Sequence, residues 1–306
     1  MTNSTKGLLY ATTTALLWGG LAIVLKIALN YFDSYTIVWW RFAMAFCILV
    51  VYLAFRRPGY LKILKHPPLK LLLAGFLLGV NYIGFMQGIH HAGPAVTQVM
   101  IQIGPVSLAL VGFLFFKESL SRLRAFGFIL AILGFSFFYY QQLQRLVNTD
   151  LLNRGVIWIL IGAWAWTGYG VLNKIFVRTI PSSQINLLLY GVPSVLFVPF
   201  ANFESLLNIS SAWEIILLLF LGGNTLVAYG SLSLALKYAE ANKVSMIVTV
   251  NPIITFILME LLLWMDVNWF HVSKVNTLSY AGAVIVLTGA VLAIGVFNNR
   301  KKSGKQ

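Results

Sequence analysis

Apolar residues run in blocks of about twenty, parted by short clusters of proline, glycine, serine and charge. A helix rising 1.5 Å per residue needs about that many to cross a hydrocarbon core of ~30 Å. Ten blocks are counted, at 7–29, 34–55, 69–90, 94–116, 125–140, 155–176, 183–201, 213–236, 243–265 and 278–297. No water hydrates the backbone at membrane depth, so each is predicted to be helical. The breaks carry turn-forming residues: Arg56-Arg57-Pro58-Gly59, Pro67-Pro68, Gly93-Pro94 and Pro181-Ser182-Ser183. Most loops are too short to hold a soluble domain.

The blocks repeat. Trp18-Gly19-Gly20-Leu21-Ala22-Ile23-Val24-Leu25-Lys26 returns as Trp166-Thr167-Gly168-Tyr169-Gly170-Val171-Leu172-Asn173-Lys174, an offset of 148 residues in a chain of 306. Near the same offset Gln98 falls on Ser245, Gln102 on Thr249 and Pro105 on Pro252. Gly79-Val80-Asn81 resembles Gly222-Gly223-Asn224, and the last block of each half carries glycines seven apart, Gly127 with Gly134 and Gly282 with Gly289. The division is therefore 1–141 as a first five-helix unit, 142–153 as a linker, 154–300 as a second unit and 301–306 as a basic tail. Five spans per unit is odd, so the second copy enters the membrane upside down. The predicted fold is an all-α integral membrane protein, ten transmembrane helices in two inverted-topology repeats, an architecture common among secondary transporters.

Charge sets the orientation. With the N-terminus inside, seventeen of the 22 Lys and Arg residues fall on the cytoplasmic side, three outside (Arg145, Arg154 and Lys274), and Lys26 and Arg41 lie within spans. This is the positive-inside bias, and it places both termini in the cytoplasm of a cell whose inner (plasma) membrane holds the chain. Acids lean the other way, at Asp33, Asp150, Glu204, Glu214 and Asp266. The net charge of +14 thus reflects topology, and no basic domain is present to take nucleic acid. Charged residues are only 10% of the chain against about a quarter in soluble domains, so lipid is its solvent. The single Cys47 excludes an intramolecular disulfide.

The ordered set of Trp-Gly…Lys in the first helix, Trp39-Trp40-Arg41-Phe42 in the second, Gln102-Ile103-Gly104-Pro105…Lys117-Glu118 in the fourth and Asn251-Pro252 in the ninth resembles the EamA-like branch of the drug/metabolite transporter superfamily. The resemblance covers nearly the whole chain. It implies a central cavity between the halves, alternating access, and small substrates such as amino acids or other metabolites. The chain departs from the pattern at the end of the ninth helix, which reads Trp264-Met265-Asp266, in carrying Glu260 within that helix, and in a longer link 266–277 with His271.

Polar residues inside spans are costly unless paired or wet. Gln98 and Gln102 share a helix face, as do their counterparts Ser245 and Thr249. Asn81 with Gly84 and Gly88, and Asn224 with Ala228 and Ser231, form two further stripes of polar and small residues. The four stripes are expected to line one aqueous cavity, the alternative being hydrogen bonds between helices. Trp18 and Trp166, with Tyr82, Tyr169, Tyr190 and Tyr229, are expected as apolar walls with polar tips, or else as packing. Pro105 and Pro252 are expected to free the carbonyls of Ile101 and Val248, as a hinge or a passive kink. Lys26, Arg41 and Glu260 fall in the outward half of the membrane. Glu260 is expected to pair with Arg41 or Lys26 at an outer gate, or to couple transport to protons. Glycines 127, 134, 282 and 289 read as close packing against a helix or another subunit.

The chain shows no nucleophile–base set and no His–acid motif. It lacks the charge rings and repeated filter carbonyls that channels use. An intramembrane enzyme and a channel are therefore the weaker alternatives, and a seven-helix receptor does not fit ten spans. No metal or other cofactor is called for. The reading is a carrier of small polar metabolites, foremost an amino-acid exporter or exchanger. A multidrug or sugar-phosphate carrier is the alternative within that class; phosphorylated substrates would want more cavity cations than Lys26 and Arg41.

Overall fold

A computed structural model describes residues 3–116, 121–144, 149–177, 179–239, 244, 247–267 and 277–294. Among these the chain is helical: α1 (Asn3–Ala28), α2 (Ser34–Arg56), α3 (Leu69–Met100), α4 (Ile103–Phe116), α5 (Arg122–Leu143), α6 (Thr149–Phe176), α7 (Ser182–Leu196), a short α8 (Phe203–Leu207), α9 (Ala212–Tyr238), α10 (Asn251–Trp264) and α11 (Thr277–Ile294). Nine helices among the described residues are long and apolar enough to cross a membrane. Their outward faces carry exposed Leu16, Phe55, Ile132, Trp164 and Trp264, a surface that hydrocarbon covers and water would not. Ser245, Lys117, Glu118 and His271 lie outside the described residues, as does the side chain of Lys174.

The helix starts follow local chemistry. Asp33 Oδ1 accepts from the amides of Tyr35 at 2.9 Å and Thr36 at 3.1 Å, capping α2. Ser211 caps α9 and Ser121 caps α5 by accepting the N3 amide.

The third and fourth blocks differ from expectation. Gly93 breaks helical geometry inside α3 with φ 85° and ψ 167°, and the chain turns there before Pro94. The positive φ suits glycine alone. A second break follows at Ile101–Gln102, where α3 ends and α4 begins. The block 94–116 is thus two helical pieces, and its middle is a turn. Pro105 lies in the first turn of the second piece, and the Ile101 carbonyl it was expected to free accepts from the Gly104 amide at 2.9 Å. Pro252 is likewise in the first turn of α10, where its missing donor would have lacked a helical partner anyway. Both prolines start helices instead of kinking them.

The packing has a regular plan. Helix α1 lies against α9 and α10, while α6 lies against α3 and α4. Helix α2 meets α7 and α9, α7 also meets α3, and α5 pairs with α11. The last pair meets backbone to backbone: a Cβ on Gly127 would fall 2.4 Å from the Ala293 amide, and one on Gly289 would fall 2.4 Å from the Ala131 amide. The partner of that glycine face is therefore the other terminal helix of the same chain.

Candidate functional site

A cavity opens where α1, α2, α3, α4, α6, α9 and α10 converge. It encloses about 690 Å³ of atom-free space, open solvent at its mouth included. Of the residues singled out from the sequence, Trp18, Arg41, Asn81, Tyr82, Gln98, Gln102, Pro105, Trp166 and Tyr229 line it. Leu21, Phe85, Ile101, Val248 and Asn251 complete the wall.

Its aromatic side is continuous. The rings of Trp18 and Tyr229 stand 5.3 Å apart, and Tyr82 and Tyr229 5.9 Å apart. Phe42 backs Tyr82 at 4.2 Å. Such rings offer apolar surface with polar edges.

Its polar side is largely wired to the backbone. Gln98 Nε2 donates to the Trp18 carbonyl at 2.9 Å, fastening α3 to α1. Asn81 Nδ2 donates to the Gly162 carbonyl at 3.0 Å, fastening α3 to α6. Gln102 Nε2 donates to Asn251 Oδ1 at 3.0 Å, so the turn before α4 meets the first residue of α10. Arg41 is 3% exposed; its Nε donates to Thr225 Oγ1 at 3.0 Å and its guanidinium carbon lies 4.4 Å from the Tyr82 ring centre.

Several expectations are corrected. Asn224, Tyr169 and Thr249 do not line the cavity. Asn224 Nδ2 donates to the Leu17 carbonyl at 3.1 Å, and the Tyr169 hydroxyl accepts from Asn173 at 3.3 Å. The two stripes of small residues are seams between helices: a Cβ on Gly84 would fall 2.6 Å from the Trp158 carbonyl, and the Ala228 carbonyl accepts from Thr14 at 3.2 Å. Glu260 pairs with neither cation. It is exposed on α10 and accepts a hydrogen bond from the Tyr280 hydroxyl of α11. No ion pair joins Lys26 or Arg41 to a carboxylate among the described residues; Lys26 is half-buried on α1, and Arg41 lines the cavity.

Asn251 is the polar lining residue that sequence reasoning passed over, as it did the apolar Leu21 and Phe85. Its place beside Pro252, at the start of a helix broken like α4, was the available signal.

The EamA-like transporter family model matches the chain twice, over residues 5–140 and 153–295. A curated transporter of Haemophilus influenzae is 30% identical over 293 residues, covering 94% of this chain and 95% of that protein. The inner membrane transporter YhbE of Escherichia coli K12 is 33% identical over 295 residues, covering 94% and 91%. A solved crystal structure shares the fold at TM-score 0.67 and 15% identity, covering 94% of this chain and 97% of its own. With both halves matched and relatives aligned nearly end to end, the chain belongs to the EamA-like transporter family.

Proposed function

We propose that the protein is a secondary carrier of small polar metabolites of amino-acid size, working by alternating access, and that it exports or exchanges them. It is built as two five-helix repeats of opposite orientation, ten helices in all, with both termini cytoplasmic. The name of the E. coli relative supports an inner-membrane location.

The packing plan supports the repeat. Exchanging the two sets of five turns the α3–α6 seam into α9–α1, the α4–α6 seam into α10–α1, and the α7–α3 seam into α2–α9, and all of these are present. The family model's two matches support it as well.

The observation that carries the carrier reading is the Gln102–Asn251 bond at 3.0 Å. It joins the broken helices of the two halves at the wall of the cavity. Broken helices facing each other across a midplane site are the usual construction of a carrier's binding centre. An enzyme would need a reacting constellation that the lining does not supply.

Counterflow in proteoliposomes tests this. Hits from a thermal-shift screen of amino acids and small carboxylates are preloaded unlabelled, and the labelled compound is added outside. The expected result is transient, saturable uphill accumulation. Flux proportional to concentration without counterflow would indicate a channel, and turnover without flux an enzyme.

A further inference from the structure

We infer that the cavity selects substrates carrying a net negative charge, as a carboxylate on an apolar, ring-bearing body, with Arg41 as the group that receives the carboxylate. This rests on the carrier reading above and names the substrate class of the same site.

Three observations converge. Arg41 is 3% exposed, yet it borders the cavity. Its hydrogen bond, among the described residues, is from Nε to Thr225 Oγ1, which leaves both terminal amino groups of the guanidinium for a ligand. A planar guanidinium so presented matches the two oxygens of a carboxylate. The second observation is compensation. A cation held inside a membrane protein is expensive without a counter-charge, and no carboxylate is among the described residues lining the cavity. The missing negative charge is then the substrate's own.

The third is the position of the two broken helices. Helix α4 begins one residue after the lining residue Gln102, and α10 begins at the lining residue Asn251. Helix N-termini carry partial positive charge, but at the α3–α4 break the adjoining C-terminal end of α3 offsets it, so Arg41 is the charge that dominates the site. A free ammonium group would meet this field with no acid to offset it. Anion is therefore preferred to zwitterion, and zwitterion to cation.

The body of the ligand follows from the other wall. Trp18, Tyr82, Phe85, Trp166 and Tyr229 line the same cavity as Arg41, and the Tyr82 ring centre lies 4.4 Å from its guanidinium carbon. At the 148-residue repeat offset Arg41 falls on Leu189, so the charge belongs to one half alone. A ligand with one charged end and one apolar end fits a site with that asymmetry.

The test uses full-length protein in phosphatidylcholine nanodiscs and three probes with one ring and different charge: 3-phenylpropionate, phenylalanine and phenethylamine. Binding is read by tryptophan fluorescence and by the ligand-induced rise in unfolding temperature. The expected order is phenylpropionate tighter than phenylalanine by about 10-fold or more, with phenethylamine weakest. In Arg41→Gln, phenylpropionate affinity falls about 100-fold and the preference disappears. Arg41→Lys keeps the charge without the fork, so it retains the order with weaker affinity, and it serves if the Gln variant does not fold. Equal or reversed affinities, no binding of any probe, or a preference that survives Arg41→Gln overturns the inference. Equilibrium binding needs no gradient, so the two failures separate: counterflow without anion preference removes this inference alone, and anion binding without counterflow removes the carrier reading alone.

Discussion

Gln102 and Asn251 show what a single polar contact does in this molecule. Each amide is buried, and the bond between them satisfies one donor and one acceptor at 3.0 Å. Gln102→Leu leaves Asn251 Oδ1 without that donor, a loss of about 1–3 kcal/mol. In urea unfolding from mixed micelles, Gln102→Leu/Asn251→Leu should recover part of the loss, because the double variant orphans neither group. Fully additive losses would mean that the two side chains do not interact. Glu260 makes the opposite case. It is exposed and bonded to Tyr280, away from the cavity. Glu260→Gln should leave saturable flux unchanged between pH 6 and pH 8, and a loss of pH-driven uptake would return the carboxylate to a coupling role. The sequence marked Arg41 and Glu260 alike as ionisable groups within spans. It could not say which helix face each occupies, since that depends on the neighbours: Thr225 and Tyr82 draw Arg41 inward. Asn81 and Gln98 were legible as polar groups near a cavity. Their fastening to the Gly162 and Trp18 carbonyls was not, because those acceptors belong to other helices.

At the scale of helices, α5 and α11 depend on glycine. Their backbones approach until a Cβ on Gly289 would sit 2.4 Å from the Ala131 amide and 2.7 Å from its Cα. Backbone cannot give way as a side chain can. Gly289→Val should lower stability by about 1–3 kcal/mol or more, read as a drop in unfolding temperature, whereas Gly59→Ala, with open space around it, should not. An unchanged temperature in Gly289→Val would show that these helices do not meet there. The seven-residue glycine spacing was readable because it repeats on one helix face; the choice between an internal and an external partner was not. That the chain is built of membrane-length apolar helices followed from the blocks, as a bilayer imposes that length directly; nine such helices stand among the described residues, against ten blocks. The break at Ile101–Gln102 stayed hidden because it falls inside an apolar block. Pro105 hinted at it, yet proline alone does not separate a kink within a helix from the first turn of a new one.

At the scale of the molecule, the two halves meet around the cavity and exchange partners in a matched way, α1 with α9 and α10, α6 with α3 and α4. A lipid-facing exterior of exposed leucine, isoleucine and aromatic residues surrounds them. Alternating access requires that this one cavity serve both faces of the membrane in turn. Its most direct test places a thiol in the cavity, as Trp166→Cys with Cys47→Ser, and adds a membrane-impermeant maleimide to right-side-out and inside-out vesicles separately. Labelling is expected in both orientations, suppressed in both by a saturating ligand. Labelling from one face only, whichever ligand is present, would contradict it.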